Sequence, residues 1–507
     1  MAIPLPPLRQ PPRPAPRPVD AVLRLFPILH VLSGAVLLFS PAFFVPLAFS
    51  LALADGEHRS FETGFLATFL SGLFMFFVTR GRHRRELQPR DGFLLVTLVW
   101  TVVPAFATVP LILGIPGLSF TDAYFETVSG MTTSGATVIS GLDNLEPSLN
   151  IWRTLLVWIG GMGIIVLAVA ILPLLGVGGS QLFKAESPGC MKDTKLTPRI
   201  GDTAKGLWGV YTAVTVDCIL SFHFAGMTWV DAVIHAFSTM GLGGFSSHDA
   251  SFAYFDSPLV EAVATAFMLA ASLNFATHFL VIRRRSLAPY LADVEARRVM
   301  IWMVGSSLAI AAFLTAEAVY PDFATALRHA SFNVVSIAST TGFASVDYAQ
   351  WPWFAPIWMI FLSCFATSSG STGGGIKMVR AVVLFKQAIR EMTRIIHPRA
   401  VVPVKYGEQV IENNVIFAVL AFMLMYGTTI ITMTMLLLAT GVDPITAITA
   451  VMACINNMGP GLGLVGPAGN YAVLSDFQTW VCTLTMLLGR LELFTMLVLL
   501  TPAYWRK

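Results

Sequence analysis

Four short stretches decide how this chain folds: SGMTTSGA at 129–136, STMGLGGF at 238–245, SIASTTGF at 336–343 and ACINNMGP at 453–460. Aligned without gaps, all four have glycine as their seventh residue, and an alanine stands twelve residues before each glycine. Each stretch ends a partly apolar segment that is too short to cross a bilayer and that lies between two long apolar runs. The pattern predicts a unit of span, half-helix, loop and span that occurs four times.

The composition of the chain excludes a soluble globular protein. Of its 507 residues, 55% are hydrophobic and only 12% are charged, whereas soluble chains usually have about 25% charged residues. The apolar residues are grouped in long runs, which is typical of a polytopic helical membrane protein. A net charge of +3, with Lys and Arg concentrated beside the spans, excludes nucleic acid as a partner. The five cysteines form no disulfide framework or zinc pattern.

Ten apolar regions predict ten spans. Basic residues follow the second, fourth, sixth, eighth and tenth regions, whereas the other loops are mainly acidic. Because positive charge marks the cytoplasmic side, both termini are expected to be cytoplasmic and the acidic loops to face outside. The ten regions are 21–53, 64–79, 92–115, 151–175, 207–227, 259–282, 300–320, 354–385, 410–440 and 479–504.

The predicted fold is an all-α polytopic membrane protein with four tandem helix–pore-loop–helix repeats in a pseudo-fourfold ring, preceded by two extra transmembrane helices. Each half-helix would aim its negative C-terminal end at the axis, and each loop would present carbonyl oxygens there. The seventh-position glycine allows positive φ and has no side chain to block the axis. The predicted segments are a disordered Pro-rich arm (1–20), two extra spans (21–90) and repeats at 91–200, 201–298, 299–405 and 406–507.

These loops also have a simpler interpretation. Re-entrant Gly/Ser/Thr loops can serve only to let helices pack closely. Four copies in one register on the acidic side favour an ion pathway instead, because irregular backbone at membrane depth must be buried in protein or line water.

Two features within the last repeats suggest a gate. The string SSGSTGGGIK at 368–377 interrupts the eighth apolar region and matches no Walker loop, so it is either a harmless break or an intramembrane gating loop below the filter. Arg490 lies in the last apolar region, where a cation must be paired or face water. It is either a partner of Glu492 or of loop carbonyls, or a barrier to cations beside Gly373, Gly374 and Gly375.

At these residues the chain resembles the Trk/Ktr/HKT superfamily of potassium-uptake proteins, and most closely the bacterial Trk membrane subunit. The resemblance covers nearly everything after the Pro-rich arm. Five strings carry it: WIGGMGIIVLAVAILPLLGVGG (158–179), KDTKLTPRI (192–200), GGFSSHD (243–249), SSGSTGGGIKMVR (368–380) and CINNMGPGLG (454–463).

The resemblance implies potassium uptake across a bacterial inner membrane by a multi-pass homodimer in contact with lipid, gated by a cytosolic nucleotide-binding regulatory subunit. The transported cargo is the potassium ion, and the chain itself needs no organic cofactor. The implied gate comprises Gly373, Gly374, Gly375, Lys377 and Arg490. The implied filter comprises Thr132, Thr133, Ser134, Gly135, Gly241, Leu242, Gly243, Gly244, Ser339, Thr340, Thr341, Gly342, Asn456, Asn457, Met458 and Gly459.

The second loop departs from the others because Leu242 stands where they have Thr or Asn, so it would contribute carbonyls without a hydroxyl. In plant members of the superfamily, serine in place of the first filter glycine accompanies sodium preference, so Gly135 favours potassium.

Two other functions are weighed against a gated pore. A symporter would couple potassium to protons or sodium by alternating access, although a fourfold ring is less suited to rocking repeats. An intramembrane enzyme would need a nucleophile with a base, or clustered carboxylates. His278, Asp217 and Asp231 lack such a grouping, so the sequence predicts that the chain is not an enzyme.

Overall fold

The computed structural model describes residues 18–81, 87–166, 200–407 and 409–505. The first seventeen residues of the predicted arm, the basic loop that includes 184–199 and the last two residues lie outside this range. Helix begins at Pro18, slightly before the predicted end of the arm.

Helices dominate the described residues, where the strands form one antiparallel pair, β1 (Lys405–Tyr406) and β2 (Gln409–Val410). In chain order the α-helices are α1 Pro18–Phe39, α2 Phe44–Leu53, α3 His58–Thr79, α4 Pro89–Gly114, α5 Phe120–Met131, α6 Pro147–Val166, α7 Ile200–Phe224, α8 Trp229–Gly241, α9 Pro258–Ala271, α10 Phe275–Arg284, α11 Ala288–Ala292, α12 Val294–Ala316, α13 Phe323–Ala338, α14 Phe354–Ser363, α15 Met378–Ile396, α16 Asn413–Ala439, α17 Pro444–Ile455, α18 Asp476–Arg490, α19 Phe494–Leu497 and α20 Pro502–Trp505.

By length and composition, six of the described helical segments could cross a membrane, and two bent helix pairs could each add a span. The other two of the ten predicted regions take a different form. Helix α6 reaches the edge of the described residues, and the eighth region is divided between α14, a non-helical loop and α15. The all-α membrane fold is confirmed.

The four half-helices are α5, α8, α13 and α17, and they begin in the same way. A Ser, Thr or Asp side chain caps each one by accepting a hydrogen bond from a backbone N–H three residues later, which satisfies a donor that the helix leaves unpaired. The alanines of the sequence repeat are fully buried on these helices. The four caps are Ser119, Thr228, Asp322 and Asp443.

The packing of these half-helices closes a ring. The second span of each repeat lies against the half-helix of the next repeat: α6 against α8, α9 against α13 and α14 against α17. Helix α18 of the fourth repeat then packs on α5 of the first repeat. Helices α1–α3 pack on α4 and α6 of the first repeat.

Two of the predicted spans, 259–282 and 479–504, are sharply bent in the structure. The axes of α9 and α10 differ by 96°, and those of α18 and the helical turns after it by 108°. Asn274 causes the first break because its side chain accepts the N–H of Ala276 and starts a new helix. At the second break Glu492 and Leu493 both have positive φ, which ends α18.

A buried ion pair fixes the first half-helix to its neighbours. Arg153 on α6 contacts Glu126 on α5 at 2.7 Å, and neither side chain is exposed. The guanidinium also lies 4.4 Å from the ring centroid of Phe245 and donates to the carbonyl of Ser246 in the second repeat. Glu126 in turn accepts the backbone N–H of Val138, just past the first loop. One pair therefore joins the first two repeats behind their loops.

Replacing Glu126 with Gln should destabilise the protein by about 3–5 kcal/mol, because it leaves the Arg153 charge buried without its carboxylate. Thermal unfolding in detergent, followed by tryptophan fluorescence, measures the loss. The double variant Glu126→Gln/Arg153→Met removes both charges and should recover part of it. Equal unfolding temperatures for the wild type and both variants would contradict a stabilising role for this buried ion pair.

Candidate functional site

The four predicted loops share one backbone conformation. In every loop the fifth and seventh residues have positive φ, whereas the sixth residue does not. Residues that alternate between left-handed and ordinary conformations turn successive carbonyls towards the same side of the strand, as a cation filter requires. The fifth residues are Thr133, Leu242, Thr340 and Asn457, and the seventh are Gly135, Gly244, Gly342 and Gly459.

The fifth position is a feature that the sequence analysis did not detect. In each loop the N–H of the sixth residue donates to the carbonyl of the first, and that of the fifth to the carbonyl of the second. These are the two bonds of a Schellman motif, whose left-handed residue is usually Gly or Asn. Thr133, Leu242 and Thr340 adopt it at a cost of about 1–2 kcal/mol each. Only Asn457 offered a compositional signal.

The seventh-position glycines join the loops into a closed ring. A Cβ on Gly135 would lie 2.0 Å from the carbonyl oxygen of Gly243, the sixth residue of the next loop. The same relation holds from Gly244 to Thr341 (2.3 Å), from Gly342 to Met458 (2.2 Å) and from Gly459 back to Ser134 (2.7 Å). Glycine is thus required because a side chain would strike the neighbouring loop. The positive φ expected from the sequence is present at all four glycines, and the close approach of the next loop is a further reason that the sequence did not show.

Several loop hydroxyls are occupied within the protein. Thr132 bonds to Ser134 at 2.8 Å, and Ser339 bonds to Thr341 at 2.7 Å. Leu242 is buried in the apolar core. These side chains brace the loops, whereas the buried hydroxyl of Thr133 has no hydrogen-bond partner among the described residues.

The two asparagine side chains of the fourth loop bind neighbouring parts of the protein. Asn457 donates to the hydroxyl of Ser134 in the first loop (2.9 Å) and to the carbonyl of Met486 (3.0 Å). Asn456 donates to Ser363 and accepts a 2.6 Å hydrogen bond from the hydroxyl of Tyr426. Sequence reasoning missed Tyr426, which is an ordinary aromatic residue in an apolar helix.

The glycine loop between α14 and α15 lies directly against the ends of the half-helices. A Cβ on Gly374 would lie 2.0 Å from the carbonyl oxygen of Asn456, and one on Gly373 would lie 3.0 Å from that of Ser339. The N–H of Gly374 donates to the hydroxyl of Thr340 at 2.8 Å. Gly375 has positive φ. The structure therefore places the predicted gate residues next to the third and fourth predicted filter loops.

Two further contacts involve the ends of the second and first half-helices. Thr372 donates to the carbonyl of Met240 at 3.0 Å. A Cβ on Gly160 would lie 1.9 Å from the carbonyl oxygen of Met131. The second half-helix thus also ends on the glycine loop, whereas the first ends on Gly160 of α6.

Arg490 joins the glycine loop to α6. It is 2% exposed and donates to the carbonyl of Thr372 at 3.0 Å and to that of Gly160 at 3.1 Å. Glu492 instead pairs with Arg380 at 2.8 Å, so the first of the two structural partners considered for Arg490 was wrong. Lys377 has positive φ, and its ammonium donates to the carbonyl of Gly373. Two cationic side chains, those of Lys377 and Arg490, thus bind carbonyl groups of the glycine loop.

On the opposite side of the loops, an open cavity is lined by all four seventh-position glycines. Arg153, His248 and Asp249 also line it. The carboxylate of Asp249 accepts the N–H groups of Gly141 and Leu142 at 2.9 and 3.2 Å, which ties the outer loop of the second repeat to that of the first.

His248 strengthens the same connection. Its Nδ1 lies 2.5 Å from a carboxylate oxygen of Asp143, its Nε2 lies 3.4 Å from one of Asp231, and its ring stacks on Tyr254. Burial opposes charging of the ring, but the carboxylates of Asp231 and Asp143 outweigh it and raise the pKa of His248. The imidazolium therefore joins two repeats above the cavity.

The stabilising effect of His248 should depend on pH. Because its folded-state pKa is raised, its contribution is complete below the unfolded pKa and is lost as pH rises through the folded value. The unfolding temperature of the wild type should exceed that of His248→Gln clearly at about pH 5.5, and by less at about pH 9. Thermal scans in one detergent at both pH values measure this difference, and an equal gap at both would contradict it.

Comparison with known proteins agrees with the ring of loops. A family model described as TrkH: Cation transport protein matches residues 57–507. The chain belongs to this family. The resemblance to the Trk membrane subunit is thereby confirmed, and the TrkH family is one of transporters and not of enzymes.

Relatives match along almost their full length. The "Trk system potassium uptake protein TrkH" of Halomonas elongata is 45% identical, over 95% of this chain and 99% of its own. The protein of the same name from Escherichia coli K12 is 42% identical with the same coverage. The crystal structure of the potassium transporter TrkH from Vibrio parahaemolyticus superposes with a TM-score of 0.87 at 40% identity, covering 95% of this chain and all of that chain.

The residues considered for an enzyme have structural contacts instead. His278 lies within hydrogen-bonding distance of the hydroxyl of Tyr290 and the carbonyl of Ala270, at 2.5 and 2.9 Å, where α9, α10 and α11 meet. Asp231 lies in the first turn of α8, where its backbone N–H donates to the hydroxyl of Thr228 and its carboxylate contacts His248.

Proposed function

We propose that this protein conducts potassium into the cell as the channel-like membrane subunit of a Trk-type uptake system. One observation carries the proposal: a backbone alternation repeated in four loops, with each loop closed on the next by a glycine. Such a ring offers stacked carbonyl oxygens that replace the hydration shell of a cation. The printed names of the relatives, which are potassium uptake proteins, support potassium as the cargo.

The ring also favours conduction over alternating access. Rocking carriers separate their repeats around a central site. Here each glycine lies so close to the next loop that the four repeats behave as one unit, and the glycine loop is the segment that stands in the path. We therefore favour a gate that moves beneath a fixed filter.

In the proposed gate, Gly373, Gly374 and Gly375 close the inner end of the ring. Lys377 binds the carbonyl of Gly373, Arg490 binds that of the adjacent Thr372, and their charges repel an arriving cation. Opening requires the loop to leave the carbonyls of Ser339 and Asn456. Glycine suits this movement because it has no side chain to withdraw and permits several backbone conformations.

The proposed assembly follows the resemblance to Trk proteins. It is a homodimer in the bacterial inner membrane, with both termini cytoplasmic and a nucleotide-binding regulatory subunit on the cytosolic face. Helix α15 supports a protein contact there, because its last turns expose Phe385, Ile389, Met392 and Ile396. Lys386, Arg390 and Arg394 lie on the same helix.

Replacing Gly135 with Ala tests the filter. The added methyl would strike Gly243 of the next loop, and overpacking of about 1–3 kcal/mol would lower the conducting population by at least about fivefold. Potassium flux into liposomes, measured beside sodium flux, should fall and lose its selectivity. Gly141→Ala is the matched control, because Gly141 has φ +77° against +76° for Gly135 but nothing within 4 Å of its Cβ position.

The control should keep wild-type transport and show only the cost of the left-handed backbone. Equal transport by both variants would refute the ring as a filter. Absence of potassium flux in the wild type, with the regulatory subunit and nucleotides supplied, would refute the proposed function itself.

Replacing Thr340 with Val tests the contact between filter and gate. Valine has nearly the same shape but cannot accept the N–H of Gly374, so the closed loop should be destabilised and basal potassium flux should rise severalfold. Thr340→Ser keeps the hydroxyl and should behave as the wild type. Liposome flux without the regulatory subunit measures both, and identical behaviour of the Val and Ser variants would contradict the contact.

A further inference from the structure

A buried carboxylate outside the predicted site holds the glycine loop. Glu295 is the second residue of α12 and is 3% exposed. Its Oε1 accepts three hydrogen bonds: from the backbone N–H of Ser369 (3.2 Å), from the hydroxyl of Ser369 (3.2 Å) and from the backbone N–H of Val379 (3.0 Å). A single oxygen thus accepts from two residues that are ten positions apart in the chain.

Ser369 and Val379 are the two ends of the gate. The segment between them includes Gly373 and Gly374, which contact the filter loops. It also includes Gly375 and Lys377, whose ammonium donates to the carbonyl of Gly373. Joining both ends to one point shortens the span that the segment must bridge and restricts its conformations. A charged acceptor makes stronger hydrogen bonds than a neutral one, particularly where water is excluded. Glu295 therefore determines where the loop starts and where it ends.

The middle of the loop is held differently from its ends. Gly373 and Gly374 rest on carbonyl oxygens, a contact that gives no attraction of its own, and the hydroxyl of Thr340 accepts one hydrogen bond from Gly374. The left-handed conformations of Gly370 and Gly375 lie within the clamped segment. Thr372 and Gly374 also bind Met240, Arg490 and Thr367. The centre is thus held at several separate points, whereas the two ends share a single carboxylate.

The clamp also connects to the end of the sixth and seventh spans that bears the basic residues. Asp293 accepts the N–H groups of Glu295 and Ala296, and it accepts the hydroxyl of Thr277 on α10. Glu295 therefore lies at the corner where α10 and α11 lead into α12. A displacement of this corner would move both ends of the loop together.

We propose that Glu295 is a positioning residue of the gate: it holds both ends of the glycine loop so that the centre closes the filter, and it transmits movements of the 285–293 corner to the loop. This inference rests on the proposed function of the loop as a gate. It concerns Glu295 alone and does not alter the assignment of the filter.

A double-mutant cycle of potassium flux in liposomes tests the proposal. Four proteins are compared without any regulatory subunit: the wild type, Glu295→Ala, a variant lacking Gly373, Gly374 and Gly375, and the combination. Glu295→Ala should raise basal flux severalfold, and the deletion should raise it further. Adding Glu295→Ala to the deletion should then change nothing, because the clamp acts through a loop that no longer closes. A merely structural role would lower flux in both backgrounds.

Two milder substitutions test the same idea in case Glu295→Ala fails to fold. Ser369→Ala removes one of the three hydrogen bonds and should raise basal flux less than Glu295→Ala does. Glu261→Gln is the matched control, because Glu261 is equally buried at 3% exposure but pairs with Arg328 away from the loop. It should leave basal flux unchanged, and the selectivity for potassium over sodium should be the same in all single variants.

The outcomes separate the two proposals. An unchanged or lowered flux in both Glu295→Ala and Ser369→Ala, with a deletion variant that does leak, would overturn the role of Glu295 and leave the gate in place. A deletion variant that conducts no more than the wild type would overturn the gate itself, and the role of Glu295 with it.

Discussion

The structure depends on the approach of a glycine Cα to a neighbouring carbonyl oxygen, repeated around a ring of four loops. No larger residue fits, because the Cβ positions lie 2.0 to 2.7 Å from those oxygens. The contact converts four separate re-entrant loops into one unit, so the position of each strand sets that of the next. The strain of the left-handed fifth residues is tolerated because the surrounding helices and caps determine the backbone on both sides.

Buried polar groups anchor this ring within the protein. Glu126 and Arg153 anchor the first loop from behind, and Asn456 and Asn457 anchor the fourth. Such groups are costly to bury unless every partner is present. They therefore favour a single arrangement of the repeats more than they favour stability as such. The fourfold symmetry is correspondingly a property of the backbone, while the side chains behind each loop differ.

Much of the fold and part of the site could be predicted from sequence. The shared glycine at Gly135, Gly244, Gly342 and Gly459 was visible because backbone geometry there tolerates one residue type. The interruption of the eighth apolar region was visible for the same reason. The bends after Ala271 and Arg490 were not foreseen, since Glu492 and Leu493 have no compositional mark of a left-handed conformation. Glu295 and Tyr426 were also missed, because their roles depend on partners far away in the chain.

The sequence by itself determined the membrane class, the fourfold repeat and the family, because hydropathy and glycine requirements are local properties that each segment carries alone. Only the tertiary structure decided which loop contacts which, why the glycines are needed and what Arg490 binds. The identity of a contact depends on how helices from different repeats pack, and that information is spread over residues a hundred or more positions apart. Arg490 illustrates this: its charge marked it as notable, but its partners, the carbonyls of Thr372 and Gly160, belong to backbone that any residue could supply.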